Sequence, residues 1–122
     1  MKSKEDLISA LNRICQKDSR YKIDAYSFVL AALNITMAAL NRDGHVSGQE
    51  LAHGIKDFAI REYGRMARAV FEHWGVKTTE DFGHIVFNMV ESGVLGKTES
   101  DSIDDFKEVF DFKKEFEDEY PF

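Results

Sequence analysis

Residues 25–40 read AYSFVLAALNITMAAL, a stretch in which apolar residues predominate. Its apolar side chains lie on nearly every side of a helix, with five alanines among them. A helix of this kind is normally buried in the middle of a domain. The small alanine side chains let neighbouring helices approach closely. The sequence therefore predicts a central helix over residues 25–40, opened by Asp24.

Further helices are predicted on both sides of this one. Apolar residues within 7–15 follow the i, i+1, i+4, i+7, i+8 spacing of a helix face. Ser47 and Glu50 have the spacing of a capping box, which indicates that a helix begins there. Thr78 or Thr79 is expected to cap the last helix, because acids follow in its first turn. Glycines are expected to end three of these helices: Gly64, Gly75 and Gly93.

The residues after the last helix suggest an architecture. ESG at 91–93 is followed by VLGK at 94–97 and a polar loop, as where a winged-helix domain passes from its third helix into its wing. Residues 106–112 fit a strand or a helix about equally. We predict a mainly α fold with a small β-hairpin, namely a winged-helix-like core with an extra N-terminal helix, or alternatively a plain helical bundle. The predicted domain covers residues 1–112, and an acidic, aromatic tail covers 113–122.

The composition is that of an ordinary globular protein. Of the 122 residues, 43% are hydrophobic and 31% are charged, which argues against disorder. A single cysteine excludes a disulfide framework and a four-thiolate zinc site. No apolar run approaches 18 residues, and the charged N-terminal segment does not resemble a signal peptide. We therefore expect a cytoplasmic protein without a membrane segment.

Charge is unevenly distributed along the chain. Residues 1–77 hold 12 bases and 9 acids, net +3, whereas residues 78–122 hold 4 bases and 13 acids, net −9. The overall charge of −6 argues against nucleic acid as the default partner. The acidic half predicts contact with a basic protein surface, or self-association between unlike ends, and the alternative is a solvated acidic tail.

The candidate partner-binding residues come from this acidic half. They lie on the expected exposed side of the fifth helix and in the loop that follows it, where they would pair with a basic surface. They are Glu80, Asp81, His84, Asn88, Glu99, Asp101 and Asp104. The main functional prediction is a non-enzymatic adaptor or regulatory module that acts through protein–protein contact.

A nucleic-acid-associated regulator is the second prediction. The expected recognition helix, residues 79–92, contains no Lys or Arg, although such residues supply most phosphate contacts. Binding by the usual winged-helix mode is therefore not favoured. A different face could still bind nucleic acid, because three bases lie close together in the sequence of residues 1–77: Arg61, Arg65 and Arg68.

A metal-dependent or small-ligand activity around His45 and His53 is the third prediction. Residues 39–50 have the spacing of a calcium-binding EF-hand loop, but Ala39 stands where the first carboxylate is required. Cys15 lies on an apolar helix stripe, so a buried, inert thiol is expected. The sequence contains no nucleophile-elbow, P-loop or dinucleotide-binding motif, and no cofactor is expected.

Several stretches share a resemblance. They are AYSFVLAAL, HVSGQELAHGI, the segment from Met66 to Gly75, TTEDFGHIVFNMVESGVLGKTESDSIDDF and VFDF, and the string DFGxIVFNMVESG is the most specific. Together they cover roughly residues 20–112 and resemble an uncharacterised family of small bacterial proteins, the planctomycete–verrucomicrobial conserved-hypothetical family. The resemblance implies a bacterial protein of unknown function, with no activity, cofactor or catalytic residue to transfer.

Overall fold

The computed structural model of the protein describes residues 4–41, 46–95, 106–112 and 114–118. The described residues form five α-helices and contain no β-strand, so the fold is mainly α, as predicted. The helices are α1 (Lys4–Lys17), α2 (Ile23–Ala39), α3 (Gly48–Tyr63), α4 (Ala67–His73) and α5 (Thr79–Glu91). A 3-10 turn, Gly64–Met66, joins α3 to α4, and a π-helical turn covers Lys114–Asp118.

The predicted β-hairpin and winged-helix-like core are not supported. After α5 the backbone amides of Val94 and Leu95 both donate to the carbonyl of Met89, at 2.9 and 3.1 Å. The chain therefore folds back on the end of the helix instead of entering a strand. Residues 106–112 were the other candidate strand, and they form a turn followed by irregular backbone, without a strand. The loop between them, residues 96–105, lies outside the described residues.

The apolar helix α2 is central over most of its length. It packs against α1, α3 and α5. Its buried residues lie on one side and end near its C-terminus: Ala25, Tyr26, Phe28, Val29, Ala32 and Thr36. On the other side of the C-terminal end, Ile35 is 37% exposed and the capping residue Leu40 is 39% exposed. The expected burial is therefore found along the first part of α2, whereas its last turn is open.

Two glycines allow the helices to meet closely. Gly75 follows α4 with a φ of +89°, and a Cβ there would lie 2.0 Å from the carbonyl oxygen of Arg20. The turn after α4 therefore lies directly against the loop between α1 and α2. Gly54, in the middle of α3, faces Thr36 of α2, and a Cβ there would lie 1.9 Å from the threonine hydroxyl. A side chain at position 54 would force α2 and α3 apart.

An aromatic cluster fills the core between α2, α4 and α5. Phe71 lies at its centre, with four ring centroids at 5.1 to 5.6 Å: Phe28, Phe82, Phe112 and Phe116. Phe116 is completely buried. The core therefore includes Phe116, which lies in the segment that the sequence analysis separated as a tail.

Candidate functional site

The structure brings four of the predicted partner-binding residues together on α5. Glu80, Asp81, His84 and Asn88 are all half-buried. The other three, Glu99, Asp101 and Asp104, lie outside the described residues. Asp81 and Asn88 bond to other parts of the chain and Glu80 lines a cleft, whereas His84 has no hydrogen bond or ion pair within the described residues.

Asp81 forms hydrogen bonds with other residues of the chain. Its carboxylate accepts hydrogen bonds from the Tyr21 hydroxyl at 2.5 Å and from the amides of Lys77 and Thr78 at 2.8 and 3.2 Å. The two amides belong to the start of α5, so Asp81 caps its own helix. Burial and the bond to Asp81 raise the pKa of the Tyr21 hydroxyl. Asp81 thus ties α5 to the loop between α1 and α2.

Asn88 also forms hydrogen bonds with other residues of the chain. Its side-chain amide donates to the carboxylate of Asp18 at 2.9 Å and to the hydroxyl of Tyr26 at 3.1 Å. Asp18 forms an ion pair with Arg20 at 2.7 Å as well. The hydrogen bonds from Arg20, with that from Asn88, hold the pKa of Asp18 well below its usual range. Asp81 and Asn88 therefore stabilise the junction of α1, α2 and α5.

Glu80 lies in a different environment. It lines a cleft of about 340 Å³ with two acids from another segment, Glu108 and Asp111, and with Lys107. The position of this segment is fixed by Thr79, whose hydroxyl donates to the carbonyl of Phe106 and accepts from the amide of Val109. Sequence analysis did not group Glu108 and Asp111 with Glu80, because residues 106–112 could not be placed.

A groove of about 490 Å³ runs between the C-terminal part of α2 and the length of α3. Its α2 wall is apolar and consists of Ile35, Ala39 and Leu40. Its floor is the close contact between Thr36 and Gly54. The Thr36 hydroxyl is buried there and has no hydrogen-bond partner in the described part of the chain. Sequence analysis missed this groove, because residues 25–40 were expected to be buried.

The α3 wall of the groove carries polar side chains beside Phe58. His53, Asp57 and Arg61 follow one another at intervals of four residues, which places them on one helix face. The Arg61 guanidinium lies 5.3 Å from the centroid of the Phe58 ring, a cation–π distance. Glu50 stands at the N-terminal end of the wall, and its carboxylate accepts from the amide of Ser47 at 3.0 Å.

The capping box predicted from Ser47 and Glu50 is confirmed. The amide of Glu50 donates to the Ser47 hydroxyl at 3.1 Å, which completes the reciprocal pair. The acid at the last position of the EF-hand-like spacing therefore caps α3. No group of three or more His, Cys, Asp or Glu residues suited to a metal occurs in the described ranges. His45 of the predicted His45/His53 pair lies outside those ranges.

The cysteine thiol and the three arginines are the remaining candidate groups from the sequence. Cys15 is half-buried, and burial raises the pKa of its thiol. Arg68 pairs with Glu72 at 3.4 Å and lines a cleft with Arg65, whereas Arg61 lines the groove between α2 and α3. Among the described helices, none combines the length and the apolar character needed to span a bilayer.

Comparison with protein-family models, with curated proteins and with solved structures found no significant match. The resemblance to a bacterial conserved-hypothetical family therefore stays a prediction. Inference about function rests on the groove and the cleft described above.

Proposed function

We propose that the protein is a non-enzymatic protein-interaction module that holds an apolar segment of a partner protein in the groove between α2 and α3. The observation that carries this proposal is the open last turn of α2, where Ile35 and Leu40 face the groove while more than a third of each is exposed. An apolar centre beside a polar edge is the usual composition of a protein–protein interface. The volume of about 490 Å³ suits one short segment.

The two exposed apolar side chains supply part of the binding energy of such a contact. Complete burial of a Leu or Ile side chain stabilises by about 1.5–3 kcal/mol. The parts of Ile35 and Leu40 that are still exposed, 37% and 39%, correspond to about 1–2 kcal/mol together. Removing both apolar side chains should therefore weaken binding by about five- to thirtyfold.

A selection from a display library of helical 14-residue peptides tests the proposal. Peptides selected on the wild-type protein are measured against the double variant Ile35→Gln/Leu40→Gln by fluorescence anisotropy. Met66→Gln is the matched control, because Met66 is 63% exposed and lies outside the groove. We expect the double variant to lose affinity and the control to keep it. Equal binding to all three proteins would contradict the proposal.

The acidic cleft supports a second candidate function, binding of a basic protein surface. Glu80, Glu108 and Asp111 lie together there, with Lys107 as the one base among the cleft residues. Reversal of Glu80 and Glu108 to lysine, with Glu72→Lys and Glu91→Lys as a control of equal charge change, tests this surface. Salt-dependent binding of polylysine should be lost in the first variant only, and loss in both would indicate a non-specific charge effect.

A further inference from the structure

We infer that the groove between α2 and α3 binds an amphipathic α-helix of a partner protein, and that this helix places a Lys or Arg beside its apolar stripe so that it faces Asp57. The inference rests on the proposed function and adds to it the conformation and the charge of the occupant. It is argued from the shape of the groove and from the charges of the α3 wall.

The shape of the groove favours a helix. The described residues offer no strand to which an extended peptide could add. A proline-rich segment binds to uncovered aromatic rings, whereas the ring of Phe58 is covered by the guanidinium of Arg61. The α3 wall runs from Glu50 to Arg61, a distance of eleven residue steps, which is about 16 Å at 1.5 Å per step. That length matches about three turns of a helix laid along the groove.

The charges of the α3 wall specify where a cation can lie. The Glu50 carboxylate accepts from the Ser47 amide within the capping box. Asp57 is exposed, and within the described ranges it has no hydrogen-bond or ion-pair partner. Arg61, one turn further along, repels a second cation at that end. A basic side chain of the occupant is therefore attracted to Asp57, and such charge complementarity fixes the register of a complex.

The chain offers a well-matched control for this charge. Glu62 is an exposed acid on the same helix, and it does not line the groove. Asp57→Lys and Glu62→Lys change the net charge of the protein equally. A difference between these variants therefore reports the position of the charge and not the overall field of the protein.

The test uses the tightest peptide from the display selection as the probe. Each position flanking its apolar stripe is made Lys, Gln or Glu in turn, and dissociation constants are measured by fluorescence anisotropy at low salt. At one flanking position we expect the wild type to prefer Lys over Glu by about three- to tenfold. Asp57→Lys should reverse this order at that position, whereas Glu62→Lys should keep it. The preference should shrink in 0.5 M salt.

The outcomes separate this inference from the proposed function. If the peptides bind the wild type and Asp57→Lys with the same order at every position, the inference is overturned while groove binding stands. If Asp57→Lys and Glu62→Lys alter the order equally, the preference is a general charge effect and the inference is also overturned. If no peptide binds and sedimentation shows a dimer that Ile35→Gln/Leu40→Gln dissociates, a second copy occupies the groove and both proposals fail.

Discussion

Replacement of Gly54 by alanine tests the helix contact on which the groove is built. The new Cβ would lie 1.9 Å from the hydroxyl oxygen of Thr36, whereas an ordinary contact needs about 3.5 Å. The hydroxyl must therefore move by roughly 1.5 Å. A β-branched side chain in a helix has few alternative rotamers, and the Thr36 methyl carbon would itself lie at only 3.3 Å. Much of the movement must come from separation of α2 and α3.

Two opposing effects set the magnitude. Overpacking of a tight contact costs about 1–3 kcal/mol. Alanine has a higher helix propensity than glycine, which offsets about 1 kcal/mol of that cost. We therefore expect Gly54→Ala to lower the free energy of unfolding by up to about 2 kcal/mol. In a Thr36→Ala background the hydroxyl and methyl are absent and the nearest remaining atom is the Cβ of residue 36, at 3.1 Å. The same substitution should there stabilise the protein by about 1 kcal/mol, because the gain in helix propensity remains and the overpacking does not.

A double-mutant cycle isolates the contact. The helix-propensity effect of Gly54→Ala is common to both backgrounds, so it cancels, and the coupling between positions 36 and 54 should equal the overpacking cost of about 1–3 kcal/mol. Urea denaturation of the four proteins, followed by the fluorescence of the buried Trp74, measures this coupling. Additive effects, with a coupling below about 0.5 kcal/mol, would refute the close approach of α2 and α3.

Three further predictions concern the junction of α1, α2 and α5 and the C-terminal segment. Tyr21→Phe removes a hydrogen bond to the carboxylate of Asp81 and should lower the free energy of unfolding by about 1.5–3 kcal/mol in urea titrations. The pKa of Asp18 is lowered in the folded protein. Its contribution to the free energy of unfolding is therefore present above the unfolded pKa of about 4, and it is lost as the pH falls through the folded value. Between pH 4 and pH 2 the free energy of unfolding of Asp18→Asn should therefore fall less steeply than that of the wild type. Urea midpoints that fall equally with pH in both proteins would contradict this. Phe116→Ala should cost about 3–5 kcal/mol, and an unchanged melting temperature would show that residues 113–122 are separate from the core.

Features that depend on neighbouring residues in the sequence could be predicted. The start of α3 follows from Ser47 and Glu50, whose reciprocal bonds span three residues. The ends of the helices at Gly64, Gly75 and Gly93 follow from positive φ angles, which glycine adopts most readily. The prediction of a hairpin is not supported, for a related reason. An ESG sequence followed by apolar residues is compatible with a wing, but equally with the turn in which Val94 and Leu95 bond to the end of α5.

Features that depend on distant residues could not be predicted. Asp81 and Asn88 have the polarity of surface residues, and sequence analysis treated them as available to a partner. Their bonds go to Tyr21 and Asp18, which lie 60 and 70 positions away along the chain. No periodic pattern carries that information. Glu80 has no comparable bond within the described ranges and stays a candidate for partner contact, beside Glu108 in the cleft.

The groove shows most clearly why an apolar pattern does not determine burial. Ile35 and Leu40 have the same apolar character as the residues buried earlier in α2, so composition alone predicts that they are covered. Coverage depends on where the neighbours lie: Asp81 and Asn88 of α5 bond to Tyr21 and Tyr26, just before and within the N-terminal part of α2. Thr36 is the last buried residue of α2, and beyond it α3 contributes a polar wall. An apolar turn beside a polar wall gains stability only when a second apolar surface covers it, and that requirement is why we place the partner there.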